Sequence, residues 1–257
     1  MHVHEDNRSR YHPAQRICSG SAILVQAQPP DKRAILGNHE FFRGLPSSIV
    51  QRLASHARQT HCAAGRRIFS KGDEGHGLLA VLSGVVKISV PSEDGKEIVL
   101  NLIGANEIFG EIALLDGGLR TADATALGDC ELLVLDRRDV LPILMEEPIV
   151  SLKLLEVVSS RLRRTTQQVE DLSFGDLSVR LAKALLRLAK VQGTIDQPRP
   201  RVTITQKELG HTIGLSRERT NWYLRAWEKA GHLTLEKGSC VINDRELLDE
   251  LAERNGD

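Results

Sequence analysis

Long apolar runs are missing from this sequence. The only one near its start is Ala22–Val25, too short for a signal-peptide core and far short of the roughly 20 apolar residues that cross a bilayer. No membrane role is therefore expected, and the chain is placed in the cytoplasm. Cysteine is sparse and dispersed. Cys18, Cys62, Cys130 and Cys240 form no CxxC pair, which argues against a disulfide framework or a metal site. Net charge is lacking too: 34 basic residues balance 34 acidic ones, so global electrostatics do not announce nucleic acid. No nucleophile–base arrangement or metal-ligand cluster is visible either, and no enzymatic role is read.

What is present is ordinary material for two domains. The chain has 257 residues, 41% hydrophobic and 26% charged, and domains usually run about 100 to 200 residues. Residues 1–36 mix His, Arg, Pro-Pro and scattered apolar residues without periodicity, and are read as a flexible extension. From Phe41 to His56, Phe42, Leu45, Ile49, Val50 and Leu53 recur at helical spacing. Between Gly65 and Asp136 short β-rich stretches follow one another: Arg67–Phe69, Leu78–Leu82, Val85–Val90, Glu97–Leu102 and Glu131–Leu135. Turn signals such as Lys71-Gly72-Asp73 and Asp94-Gly95 separate them, which suggests a β-barrel or jelly roll over 37–148. Pro142 and Pro148 are read as closing that region.

A long helix is expected over 149–175. Leu155, Leu162 and Val169 fall at one heptad position, and Val158, Thr165 and Leu172 at the other. Three heptads on an otherwise polar helix point to a two-stranded coiled coil and a homodimer. The alternative is a stripe that packs on the chain's own barrel. Thr165 is the polar member of the seam, and such a residue fixes register or touches something polar. Residues 176–257 open with Asp176 as an N-cap ahead of Leu177–Leu188. Thr205-Gln-Lys-Glu208 reads as a capping box, Gly214-Leu215 as a turn, and Ser216 as the cap of a second helix to about Ala230. Lys237-Gly238-Ser239 between Leu233–Leu235 and Cys240–Ile242 signals a hairpin. Helix, short turn, helix and hairpin spell a winged helix-turn-helix. The charge is local here. Residues 201–240 hold seven Lys/Arg against four Asp/Glu, a balance of +3 that the tail from Asp244 to Asp257 cancels. The fold class is α+β.

Three segments carry the chemistry. The stretch from Phe109 to Ala122, FGEIALLDGGLRTA, resembles the phosphate-binding cassette of cyclic-nucleotide-binding domains. Its Glu111–Arg120 spacing is that of the protein kinase regulatory subunits, one residue shorter than in the bacterial catabolite activator. The resemblance implies that Arg120 meets the cyclic phosphodiester with a bidentate fork. It also implies that Gly110, its neighbouring amides and the Thr121 hydroxyl add donors, and that Glu111 accepts from the ribose 2′-OH. The other reading is a buried Arg120–Glu111 ion pair in a vestigial barrel. Residues 159–166, SSRLRRTT, look like the dimerising helix of the catabolite activator (Crp–Fnr) family. Thr165 and Thr166 match the pair that contacts the purine from two subunits, and Arg161 an arginine near the phosphate pocket. Residues 216–225, SRERTNWYLR, resemble the recognition helix of that family. Ser216 and the first-turn amides would hold a DNA phosphate. Arg217 would read guanine and Glu218 would accept from cytosine. Arg219 and Asn221 are candidate contacts, and Trp222 stands where the family often has Arg, which leaves the outer base preference open.

The resemblance covers Gly37 to Asp244. It implies a cyclic-nucleotide-responsive, dimeric regulator of double-stranded DNA at a pseudo-palindromic site, with RNA polymerase as a further partner and a hinge near Leu172–Asp176. Thr165 and Thr166 favour cAMP, whereas Thr121 resembles the threonine of cGMP-selective proteins; cAMP is preferred and cGMP stays open. A pocket without effector and constitutive DNA binding is the next reading. From another class comes a cyclic-nucleotide module that inhibits an enzyme partner. Relatives that bind no nucleotide use N-terminal iron–sulphur cysteines or haem, and neither signature is found here.

Overall fold

Alternating apolar residues in short strands bury one face of a sheet, and here two such sheets close on each other. A computed structural model describes residues 32–92, 97–174 and 176–253. Helices α1 (Lys32–Asn38) and α2 (Ser47–His56) precede the strands β1 (Arg58–Cys62), β2 (Arg67–Phe69), β3 (Gly77–Ser83), β4 (Val86–Pro91), β5 (Glu97–Ile103) and β6 (Ile108–Phe109). Then come α3 (Glu111–Asp116), β7 (Asp123–Ala126), β8 (Cys130–Asp136) and α4 (Arg137–Glu146). Two four-stranded antiparallel sheets, ordered β1-β8-β3-β6 and β2-β7-β4-β5, form the jelly roll.

Strands β3 and β8 are buried on both faces. Leu79, Val81 and Leu132 point into the barrel with Phe109 and Ile103. Leu78, Ala80, Leu133 and Leu135 pack instead on Phe42, Ile49, Leu53, Ile143 and Leu154 of the flanking helices. Each such side chain contributes about 1.5 to 3 kcal/mol on burial.

The helix α5 (Pro148–Phe174) leads to α6 (Leu177–Val191), whose N-cap Asp176 accepts from the Ser178 amide at 3.0 Å. There follow β9 (Arg201–Thr203), α7 (Gln206–Ile213), α8 (Arg217–Lys229), β10 (Leu233–Glu236), β11 (Ser239–Ile242) and α9 (Arg245–Glu253). Strands β10, β11 and β9 make a small antiparallel sheet. Leu181, Leu185, Leu209, Leu224, Ile242 and Leu248 fill the core of this half, and Val85, Val99 and Leu102 of the barrel join it. The barrel and the C-terminal half thus share apolar packing.

Several expectations are corrected. Residues 32–36, read with the flexible extension, begin α1, and Leu36 is fully buried against α2; the remainder of the extension lies outside the described residues. The helix foreseen from Phe41 starts only at Ser47, because residues 39–45 form turns that still bury Phe42 and Leu45. Pro142 does not close the region but sits inside α4. The Asp94-Gly95 turn and Gly175 of the expected hinge lie outside the described residues.

Candidate functional site

The barrel pocket is built around one turn. Between β6 and α3, Gly110 takes φ 82°, a left-handed conformation that costs other residues about 1 to 2 kcal/mol. A Cβ there would lie 2.5 Å from Arg120 Nη1, so glycine is also what admits the guanidinium. Arg120 is buried. Its Nη1 donates to the Gly110 carbonyl and its Nη2 to the Gly77 carbonyl, each at 2.9 Å. Its guanidinium carbon stands 4.3 Å over the Phe69 ring. Burial pushes its pKa down, with Glu111 and Asp73 opposing the shift.

Glu111, also buried, forms its ion pair with Arg161 of α5, which donates as well to the Ile108 carbonyl. The Arg120–Glu111 pair foreseen as the alternative is therefore not the contact that forms: α5 supplies the counter-charge. Arg120 is left with neutral partners, and its buried Nε has none. A desolvated guanidinium in that state is suited to a single anionic group. With Thr121, Ile88 and Phe109 these residues line one pocket. The donor set and the orphaned Nε fit the phosphate of a cyclic nucleotide.

One chain thus brings together Gly110, Glu111, Arg120, Thr121 and Arg161. Thr165 and Thr166 do not join them. Both are exposed on α5, and the Thr166 hydroxyl donates back to the Leu162 carbonyl at 3.0 Å. The same helix exposes Leu155, Leu162, Val169 and Leu172, from 46% for Leu172 to 68% for Leu162. The stripe does not pack on its own barrel.

The second region is the helix pair α7–α8. Thr205 and Glu208 cap each other reciprocally, and Gly214, at φ 71°, ends α7. The Ser216 hydroxyl accepts from the Arg219 amide at 3.3 Å, and α8 begins. Thr220 and Leu224 fasten α8 to the core, which leaves Arg217, Glu218, Arg219 and Trp222 exposed. The backbone amide of Glu218 and the Ser216 hydroxyl hold the Glu218 carboxyl below the usual range, so it stays an acceptor at neutral pH. Asn221 is the exception: it is half-buried, with a buried Oδ1 that has no partner. Trp222 packs edge-on against Tyr223 at 4.9 Å and remains 66% exposed. Among the described residues no cluster of three or more His, Cys, Asp or Glu could hold a metal ion, and no helix is long and apolar enough to cross a membrane.

Residues 59–147 match the cyclic nucleotide-binding domain, and residues 179–251 the Crp-like helix-turn-helix domain. A CRP-like cAMP-activated global transcriptional regulator of Mycobacterium tuberculosis is 35% identical over 216 residues, covering 83% of this chain and 96% of that protein. The chain belongs to the Crp–Fnr family of transcription regulators. The cyclic AMP receptor protein of Thermus thermophilus is 36% identical over 211 residues, 82% of this chain and 95% of that one. The crystal structure of a CRP/FNR-family transcriptional regulator, also from Thermus thermophilus, superposes with a TM-score of 0.67 at 26% identity, over 77% of this chain and all of that one. This Crp–Fnr regulator is accordingly a cyclic-nucleotide-domain and helix-turn-helix protein, not an enzyme.

Sequence reasoning missed Phe69 and Gly77, which complete the Arg120 cage. Both come from strands far from the cassette, and no local pattern marks them. A first prediction concerns the turn itself. Gly110→Ala should weaken cyclic-nucleotide binding at least about ten-fold, because the new methyl must displace Arg120 and adopt positive φ. Calorimetric titration beside a thermal melt checks it, and wild-type affinity in a folded variant would refute it.

Proposed function

We propose that this regulator is a homodimer that responds to cAMP and, when it does, binds a pseudo-palindromic DNA site. The observation that carries the reading is Arg120, a buried guanidinium with neutral partners and an orphaned Nε in the wall of the barrel pocket. The relatives named as a cAMP-activated regulator and as a cyclic AMP receptor protein support the choice of ligand. Arg120 neutralises the phosphate, the Glu111 carboxylate accepts from the ribose, and Arg161 ties both to α5. A cyclic nucleotide supplies no chemistry there; it shifts a population between states that differ in DNA affinity. The exposed seam Leu155–Leu172 is the dimer surface. Pairing it would bring a second copy of Thr165 and Thr166 beside the pocket region of the first, where a hydroxyl can accept from the adenine 6-amino group. Such a regulator works where DNA is, in the cytoplasm, and RNA polymerase is its natural further partner.

A specific observation favours a second reading. Thr121 lines the pocket within the single chain while Thr165 and Thr166 do not, and Thr121 could bond the guanine 2-amino group. DNA affinity measured with each nucleotide at saturation decides between them. Activation by cAMP is expected. Activation by cGMP alone, abolished by Thr121→Ala, would reverse the assignment, and full affinity without nucleotide would make the protein constitutive.

On the DNA side, Ser216 and the first amides of α8 hold a phosphate, while Arg217 and Glu218 reach base edges. Arg217→Ala should cost about 1 to 3 kcal/mol at one guanine per half-site. A panel of operators changed one base at a time checks this. An equal loss on every sequence would make Arg217 a phosphate contact.

A further inference from the structure

The register of β1 on β8 sets Cys62 directly opposite Cys130. Opposed residues of an antiparallel pair project to the same face, with Cα atoms about 4.5 to 5.5 Å apart. That separation lies inside the span of about 4.4 to 6.8 Å that a disulfide bridges. Both thiols are free and buried, and both belong to the apolar cluster inside the barrel. They differ in access. Cys130 is 0% exposed, whereas Cys62, at 8%, lines a groove with the exposed Arg58, His61, Arg66 and Arg67.

The Cys130 thiol has a definite place in the reduced chain. Its Sγ donates to the Val85 carbonyl at 3.4 Å and to the Gly128 carbonyl at 3.3 Å. Burial pushes its pKa up, so it stays protonated and able to donate. Gly84 makes the room, since a Cβ there would lie 2.7 Å from that Sγ. The Val85 carbonyl also accepts from the Leu127 amide at 2.9 Å. Val85 and Leu127 both pack into the core of the C-terminal half. The thiol therefore pins the turn between β3 and β4 where the barrel meets the DNA-binding half. To bond Cys62 it must turn away from both carbonyls.

We propose that Cys62 and Cys130 form a reversible redox site, closed to a disulfide by a peroxide that enters at Cys62. The Cys62 sulfur attacks one peroxide oxygen, the O–O bond breaks, hydroxide leaves, and Cys62 becomes a sulfenic acid. The Cys130 sulfur then attacks the Cys62 sulfur, the S–O bond breaks, and a second hydroxide departs. The two thiol protons turn both hydroxides into water. The sulfurs thus lose two electrons in all, and one peroxide is reduced to two waters. In a reducing compartment such a bond is transient and reports oxidant. Its formation withdraws the Cys130 thiol from the Val85 carbonyl, which loosens the turn that the barrel presents to the DNA-binding half.

The test treats the full-length chain with excess hydrogen peroxide, blocks the remaining thiols and maps tryptic peptides without reductant. Residues 59–66 and 121–137 are expected as one cross-linked species, two hydrogens lighter than the separate peptides and parted by dithiothreitol. Cys240, buried in the core of the C-terminal half, should carry the block. In Cys130→Ala, dimedone should label Cys62, because the sulfenic acid then has no second thiol to meet. A thermal melt shows whether that variant folds, and the wild-type map decides if it does not. Amide hydrogen exchange at residues 84–86 should quicken in the oxidised chain and slow again with dithiothreitol. Cys62 and Cys130 both blocked as thiols after peroxide, or Cys62 joined to Cys18 or to another chain, would overturn the proposal. A disulfide that leaves exchange at residues 84–86 unchanged would overturn the loosening of the turn. None of these outcomes depends on cAMP binding at Arg120.

Discussion

Replacing Arg120 with alanine should cost about 2 to 5 kcal/mol of cyclic-nucleotide affinity, roughly 30- to 5,000-fold in Kd. The size follows from the site. The guanidinium is buried, its bonded partners are two neutral carbonyls, and Glu111, the carboxylate whose charge acts on it most, is engaged by Arg161. Nothing else lining the cavity offers an equivalent positive charge except Arg161, which Glu111 neutralises. The variant also removes a donor from the Gly77 and Gly110 carbonyls, the second of which keeps the Leu114 amide at 3.4 Å, so stability falls as well. Affinity and stability must therefore be read separately, by calorimetric titration and by a thermal melt of ligand-free protein. Arg120→Lys keeps the charge but loses the two-pronged donor, and should fall between wild type and alanine. Wild-type affinity in folded Arg120→Ala would remove the pocket from this account.

How much of this was legible depends on how local each signal is. The Thr205–Glu208 capping box, the Ser216 cap and the Lys237-Gly238 hairpin involve residues within three or four of one another, and the structure forms each of them. The strand Arg67–Phe69 carries its foreseen bounds. Strands that exist only through a distant partner stayed hidden. β1, RQTHC, shows no apolar alternation and is held by its register on β8. β6 is two residues long and pairs with Leu79 and Ala80, and β9 forms on β11. The helix α1 went unread because its seven residues, with Ile35 and Leu36 packed on the core, are too few to show a period.

The site divides in the same way. The cassette from Phe109 to Ala122 is contiguous, so Gly110, Glu111 and Arg120 could be named from spacing. The choice of Arg161, rather than Arg120, as the partner of Glu111 needs α5 laid against the barrel. The meeting of Cys62 with Cys130 likewise needs the register of β1 on β8. Asn221 shows the converse: its place in the segment that resembles a recognition helix made it a candidate, and its Oδ1 is buried.

A charge in the seam of α5 should abolish the dimer. Leu162 is the most exposed of the seam leucines, at 68%, and occupies the central heptad between Leu155 and Val169. On a two-fold axis each copy faces its partner, so Leu162→Glu removes apolar burial twice. At about 1.5 to 3 kcal/mol for each leucine, the loss is roughly 3 to 6 kcal/mol. That corresponds to a dimer Kd raised about 10² to 10⁴-fold, before the cost of two carboxylates brought together. Since α5 already exposes the leucine, the monomer should fold normally, and a thermal melt of dilute protein would show it. Arg163→Glu, at the neighbouring position that leaves the seam, should keep the dimer. Sedimentation equilibrium distinguishes the outcomes: wild type and Arg163→Glu dimeric at micromolar concentration, Leu162→Glu monomeric. DNA affinity should fall with the dimer, because a monomer holds one half-site and loses the effective concentration that tethers the second. A monomeric wild type, or a Leu162→Glu chain that remains dimeric, would show that the stripe on α5 is not the subunit interface.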